Sequence, residues 1–116
     1  NLSSLDLEKF NTQKVEDMSY MFALSKNLNS IKIKNFTTTK VSNMKNMFSQ
    51  CQNLVSLNLE SFNTKEVTNM EEMFYDCEKL EALDLNHFNT EKVVNMNQMF
   101  YQCYCTIYYF KRYWRH

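Results

Sequence analysis

The chain has 116 residues, the size of one domain, and its formal net charge is zero, with 13 basic and 13 acidic side chains. Hydrophobic residues make up 44%, which argues against a disordered chain, and the balanced charge argues against a global field that would attract nucleic acid or an anionic membrane. Glycine and proline are absent, so turns must be built from residues such as Asn, which tolerates left-handed backbone.

An internal repeat organises the chain. Four copies of one unit begin at Leu2, Leu28, Leu54 and Leu80, which lie 26 residues apart, with no insertion or deletion. Their shared pattern is L-x-x-L-x-L-x-x-F-N-T-x-x-V-x-N-M-x-x-M-F-x-x-C-x-x. A fixed period of this length predicts a stack of equivalent structural units, each too small to fold alone.

Each unit contains two hydrophobic periods. Leu57 and Leu59 alternate with Asn58, which predicts a short strand. The apolar residues that follow fall within an arc of about 120° on a helical wheel, which predicts a short helix; they are Val67, Met70, Met73, Phe74 and Cys77. Asn63 or Thr64 is suited to cap it. Residues 1–105 are therefore predicted to form a four-repeat α/β leucine-rich-repeat solenoid, with one short parallel strand and one short helix per repeat.

The last residues, 106–116, leave the register. A fifth copy would place Leu at 106, 109 and 111, where the chain has Thr106, Tyr109 and Lys111. Alternating residues in this aromatic and basic tail allow one last strand that caps the open end of the stack. Contact with nucleic acid or a membrane interface, or an artefact of gene assignment, are the alternatives.

The repeat resembles that of a known family. The Leu-x-x-Leu-Asp-Leu start, followed by Phe-Asn-Thr, Val-x-Asn-Met, Met-Phe and Cys, is similar to the BspA-like leucine-rich surface proteins of bacteria and some protists, over residues 2–103. The first two copies depart from it, for example at Thr37 and Ser25, and the ninth position is Phe where common leucine-rich repeats have a buried Asn. The resemblance implies a cell-surface or secreted protein acting in adhesion or host contact. Because the sequence begins inside a repeat, we expect it to be a fragment.

No catalytic, cofactor or metal site is predicted. Cys51, Cys77 and Cys103 recur once per repeat, which is unlike zinc-ligand spacing, and we expect buried, reduced thiols that pack as small apolar groups. Cys105 lies outside that column and is free to react or to pair with a partner chain. The eight methionines lie on the predicted apolar face and are expected in the core; they are Met18, Met44, Met70, Met96, Met21, Met47, Met73 and Met99.

Two surfaces are candidates for binding. The first is formed by polar columns on the outward strand face, at Asp6, Lys32, Asn58, Asp84, Glu8, Lys34, Glu60 and Asn86. They either pair with one another across strands, Lys32 with Asp6 and Lys34 with Glu8 and Glu60, or present a ligand surface. The second is a column of tyrosines, Tyr75 and Tyr101, on the opposite side.

The architecture favours a non-catalytic module, and the resemblance implies that it is displayed at a cell surface or secreted and adheres to protein or glycan on another cell or in the matrix. The alternative is a structural spacer or a stalk that self-associates through its exposed ends, and a weaker one is an intracellular leucine-rich-repeat effector. We expect no nucleic-acid partner, no membrane insertion by this segment and no cofactor.

Overall fold

A computed structural model of the chain describes residues 2–109. Four short strands form at the apolar starts of repeats one, two and four and in the tail: β1 (Ser4–Asp6), β2 (Ser30–Lys32), β3 (Ala82–Leu85) and β4 (Thr106–Tyr109). Their side chains alternate between the core and solvent, as period-two residues do in a strand; Leu83 and Leu85 are buried and Asp84 is exposed.

The strands form two separate sheets. β1 pairs in parallel with β2 at the repeat spacing, so that Ser4 lies opposite Ser30. β3 pairs in parallel with β4, and Ala82 lies opposite Thr106, two residues short of that spacing. Residues 54–59 of the third repeat form no strand, and this break divides what was predicted to be one sheet.

The predicted α/β leucine-rich-repeat solenoid is therefore wrong. Residues 2–109 contain no helix, and their four strands do not join into one sheet. The chain instead forms a compact body with a radius of gyration of 13.0 Å, as expected for a globular domain of about 100 residues. Leu57 lies outside every strand, contrary to the predicted parallel strand at each leucine triplet.

Two left-handed residues in each predicted helix prevent a helix from forming. In the second repeat they are Asn46 and Gln50, with φ of 55° and 61°. The equivalent residues of the other repeats share this conformation: Tyr20, Leu24, Glu72, Asp76, Gln98 and Gln102. Each is the third residue of a four-residue turn, such as Met44–Met47, closed by a 3.2 Å bond from the last N–H to the first carbonyl. A positive φ at this position is typical of a type II turn.

The remaining N–H groups of these turns bind the next repeat. Met44 donates to the Asn69 carbonyl at 2.9 Å, and Asn46 donates to the Glu71 carbonyl at 2.8 Å. Phe48 and Gln50 continue the row in the same direction. Because alternate N–H groups point along the stack, the backbone is satisfied between repeats and not within a helix.

The predicted inward face is nevertheless correct. Val67, Met70, Met73, Phe74 and Cys77 are all fully buried, although turns and not a helix carry them. Equivalent phenylalanines stack through the core at centroid separations of 5.5, 5.6 and 5.8 Å; they are Phe22, Phe48, Phe74 and Phe100. Of the eight methionines, six are buried as predicted, whereas Met21 is exposed and Met96 is only partly buried.

Candidate functional site

Two adjoining grooves bring together most of the predicted polar columns. The first has a volume of about 380 Å³, and its lining includes Glu8, Lys32, Lys34 and Asn58. The second, of about 370 Å³, also includes Asn58, together with Glu60, Asp84 and His87. Both grooves reach Ser56, in the break between the two sheets. Neither lining includes Asp6 or Asn86.

Local bonds already use several of these polar groups. The carboxylate of Asp6 accepts a 3.0 Å bond from the N–H of Glu8, two residues on. Asn58 and Asp84 make the equivalent bonds, to the N–H groups of the residues two positions later. This side-chain to backbone bond closes the turn that follows each strand position. These side chains therefore shape the turns; Asp6 and Asp84 offer their remaining lone pairs to a ligand, and Asn58 also offers its amide N–H groups.

Cross-strand ion pairing is limited to one contact in the groove. Lys34 Nζ lies 3.8 Å from Glu8 Oε2, with both side chains partly exposed. Such an exposed pair contributes about 0–1 kcal/mol. The predicted pairs of Lys32 with Asp6 and of Lys34 with Glu60 are not formed within residues 2–109. Lys32 thus stands in the first groove as a cation without a carboxylate partner in the described chain.

The lining of the second groove includes His87, which the sequence did not mark as a site residue. Its Nε2 lies 2.8 Å from the Leu59 carbonyl oxygen, and its ring meets Phe88 edge-on at 5.3 Å. Equivalent positions hold Lys9, Asn35 and Ser61. Because these residue types share no chemistry, the repeat pattern gave no signal that this position would face a groove.

The tyrosine column forms the stacked pair that its spacing predicts. The Tyr75 and Tyr101 rings lie 5.3 Å apart at an interplanar angle of 23°. Tyr101 remains 48% exposed and Tyr75 is partly buried. Offset aromatic pairs at this separation stabilise each other and present one wide apolar surface with two hydroxyl groups at its edge.

A second exposed tyrosine was not predicted as a contact residue. Lys45 Nζ lies 5.9 Å from the centre of the Tyr20 ring, within the range of a cation–π contact. The same ammonium lies 3.4 Å from Glu71, and this carboxylate, followed by Tyr20, raises the pKa of Lys45. Lys45 and Glu71 share one column, 26 residues apart, whereas Tyr20 lies in the adjacent column, so the repeat register connects the ion pair but not the ring.

The cysteines fall into two environments. Cys51 and Cys77 are fully buried, as predicted, and each thiol contacts a carbonyl oxygen at 3.1 Å, of Phe22 and Phe48 respectively. Cys103 was also predicted to be buried, and this is wrong, since it is only partly buried. Its Sγ lies 3.0 Å from that of Cys105. The cause is the altered register after the fourth repeat, which folds Cys105 back beside Cys103.

Within residues 2–109, no three side chains of His, Cys, Asp or Glu are grouped as a metal site would require. That same part of the chain has no helix with the length and apolar character needed to cross a bilayer.

The 26-residue register of hydrogen bonds, buried columns and stacked rings defines this chain as a repeat-containing protein. It belongs to the family described as Mycoplasma protein of unknown function, DUF285, whose sequence profile matches residues 1–108. Comparison with curated proteins gave no match, and comparison with solved structures gave none.

Proposed function

We propose that this chain is a non-catalytic recognition module, displayed at a cell surface, that adheres to protein or glycan on another cell or in the matrix. The resemblance of its Phe-Asn-Thr and Val-x-Asn-Met motifs to BspA-like surface proteins supports the location and the class of activity. Membership of a repeat-containing family is consistent with it.

The observation that carries the proposal is the stack of Tyr75 on Tyr101, in which Tyr101 is exposed and Tyr75 partly buried. Tyrosine offers a large contact area at a low cost in side-chain entropy, and stacking holds both rings in place before binding, which lowers that cost further. Aromatic residues are also those most enriched where binding energy concentrates. One such pair predicts weak binding per module, which display of many copies would strengthen through avidity.

The polar grooves are the competing contact surface on the same module. They hold Lys32, Asn58, Asp84 and the imidazole of His87, but no phenylalanine, tyrosine or tryptophan. A polar groove of this kind suits a hydrated ligand such as a glycan, bound through hydrogen bonds and bridging water. The tyrosine pair suits a partner with apolar surface.

Adherence of protein-coated beads to host cells and to matrix proteins tests the proposal. We expect wild-type beads to adhere and the Tyr75→Ala/Tyr101→Ala variant to lose most of that adherence. Tyr104→Ala is the matched control, because Tyr104 is 74% exposed and is not a member of the stacked pair; it should adhere like the wild type. Adherence that survives the double substitution but falls with Lys32→Ala/Asp84→Ala would assign contact to the grooves. Wild-type beads that adhere to nothing would contradict the proposed function.

A second candidate function is a self-associating stalk, in which copies of this segment would pair through complementary rows of backbone groups at its first and fourth repeats. At the first repeat, carbonyl oxygens equivalent to the inter-repeat acceptors receive no bond from residues 2–109; they belong to Asp17, Ser19, Met21 and Ala23. At the fourth repeat, the equivalent N–H groups of Met96, Gln98 and Gln102 donate to no other described residue. Donors at one end thus match acceptors at the other in the repeat's own register.

Within this segment Phe10 is 64% exposed, whereas its equivalents Phe36, Phe62 and Phe88 are nearly or fully buried, so its ring is available for contact between two copies of the segment. A heterologous contact of this kind propagates into open chains. Sedimentation velocity over a range of concentrations tests it. We expect chain-like oligomers of the wild type, their loss in Phe10→Glu, and their retention in the mid-chain control Val55→Glu. A wild type that remains monomeric throughout would exclude the stalk.

A further inference from the structure

The tail leaves the repeat register between two cysteines. In the earlier repeats, the next strand position begins five residues after the cysteine position, as Ala82 follows Cys77. In the tail, β4 begins at Thr106, only three residues after Cys103. The shortened connection turns Cys105 back onto Cys103 and brings their sulfur atoms to 3.0 Å.

This pairing replaces the contact made by the other cysteines of the column. Cys51 and Cys77 each contact a carbonyl oxygen of the preceding repeat and are fully buried. Cys103 instead contacts another thiol, and both members of the pair are partly open to solvent. A small oxidant can therefore reach this pair in the folded protein, whereas the two buried thiols are shielded.

We propose that Cys103 and Cys105 form a redox modification site that closes reversibly into an intramolecular disulfide bond. The sulfur atoms must approach by about 1 Å to reach the bond length of about 2.05 Å. The bond would join the end of the fourth repeat to the start of β4. Because only one residue separates the two cysteines, closure requires no rearrangement of the repeats.

The co-reactant is a low-molecular-weight disulfide, represented here by oxidised glutathione. Cys105, as thiolate, attacks one glutathione sulfur; a mixed disulfide forms and one glutathione thiolate leaves. Cys103 loses its proton to solvent and attacks Cys105 Sγ, which forms the intramolecular bond and releases the second glutathione. The two protein thiols are oxidised by two electrons and the glutathione disulfide is reduced to two thiols. Burial raises the pKa of Cys103 to about 12, which makes it the poorer first nucleophile.

Thiol counting on the folded chain tests this site. The protein is incubated with excess oxidised glutathione, quenched with acid, then denatured, alkylated and weighed by mass spectrometry. Of four cysteines, we expect two to be alkylated, Cys51 and Cys77, in a monomer that has lost two hydrogen atoms. That loss should map to the tryptic peptide of residues 93–111, and dithiothreitol should restore four alkylated thiols.

Cys105→Ser is the matched variant, with its folding checked by near-ultraviolet circular dichroism. It should show no loss of two hydrogen atoms, whereas Cys51→Ser should retain that loss. Three results on the wild type would overturn the proposal without relying on any variant. These are four alkylated thiols after oxidation, a lasting glutathione adduct on one cysteine, and a covalent dimer through Cys105. None of these outcomes bears on adherence, so the site and the proposed function fail independently.

Discussion

The hydroxyl of Thr64 makes two hydrogen bonds to the backbone of one residue in the next repeat, Asn89. It donates to the carbonyl oxygen and accepts from the N–H group, each at 2.8 Å. Thr38 bonds in the same way to Asn63. Thr64 is 1% exposed, so these bonds satisfy a hydroxyl that water cannot reach. The threonine of the Phe-Asn-Thr motif is therefore an inter-repeat connector and not a helix cap.

Replacing this threonine should lower the free energy of unfolding only where its hydroxyl bonds to the backbone of the next repeat. Thr64→Val keeps the shape but leaves the Asn89 backbone unsatisfied, so we expect a loss of about 1–3 kcal/mol in the free energy of unfolding. Thr90 occupies the same column and is equally buried, but its hydroxyl has no hydrogen-bond partner in the described chain. Thr90→Val should be neutral or stabilising. Urea denaturation measures both, and equal losses would show that the bonds to Asn89 are not the cause.

The phenylalanine stack should carry a large part of the stability. Phe48 is fully buried and lies between Phe22 and Phe74. Phe48→Ala removes contacts on both ring faces and leaves a cavity, and we expect a loss of about 3–5 kcal/mol. The control is Phe10→Ala, since Phe10 is largely exposed and its removal should cost less than about 1 kcal/mol. A small effect at Phe48 would mean that the core collapses to fill the site.

The left-handed positions predict opposite effects for two substitutions of one residue. Gln98 is exposed and has φ of 55°. Gln98→Gly removes a conformational cost of about 1–2 kcal/mol, which its greater unfolded-state entropy partly offsets, so stability should rise slightly or stay constant. A β-branched residue is poorly tolerated at positive φ, and Gln98→Val should cost about 1–3 kcal/mol.

Gln13→Val is the control for that pair, because Gln13 is exposed and does not have positive φ. Its effect on the melting temperature should be small. If both valine variants melt alike, the left-handed backbone at Gln98 does not hold in solution.

The sequence predicted which residues face the core but not the backbone that carries them. The 26-residue register placed Val67, Met70 and Met73 in the core correctly. A spacing of three and four residues is typical of a helix, but a run of four-residue turns repeats the same inward positions. The deciding feature was the left-handed pair in each repeat, such as Asn46 and Gln50. Without glycine, only Asn46 and Asp76 are of residue types enriched in left-handed backbone, and the equivalent residues of the other repeats are not.

Contacts between residues 26 positions apart could be predicted from the repeat, whereas contacts made by the tail could not. The stack of Tyr75 on Tyr101 follows from two tyrosines in one column. The contact of Cys103 with Cys105 depends on β4 pairing two residues early. That shift arises because Ile107 takes the core position opposite Leu83, a tertiary choice between tail residues that the repeat pattern does not specify.

The buried thiols predict how stability changes in alkali. Burial raises the pKa of the Cys51 thiol from 9.0 to about 11, and it raises that of Cys77 as well. Below pH 9 both thiols are protonated in the folded and unfolded states, so their contribution is fully present. Between pH 9 and 11 the unfolded chain releases these protons while the folded chain keeps them. The free energy of unfolding therefore falls as pH rises, by at most about 1.4 kcal/mol per pH unit for each thiol.

Cys51→Ala isolates this contribution from the titration of tyrosine and lysine. The variant should be less stable at neutral pH, because it loses the contact with the Phe22 carbonyl, but its stability should fall less steeply above pH 9. Urea denaturation at intervals between about pH 8 and pH 11 gives both slopes. If the free energy of unfolding falls with pH at the same slope in the wild type and the variant, Cys51 ionises as readily in the folded protein as in the unfolded chain. That result would be incompatible with a fully buried thiol.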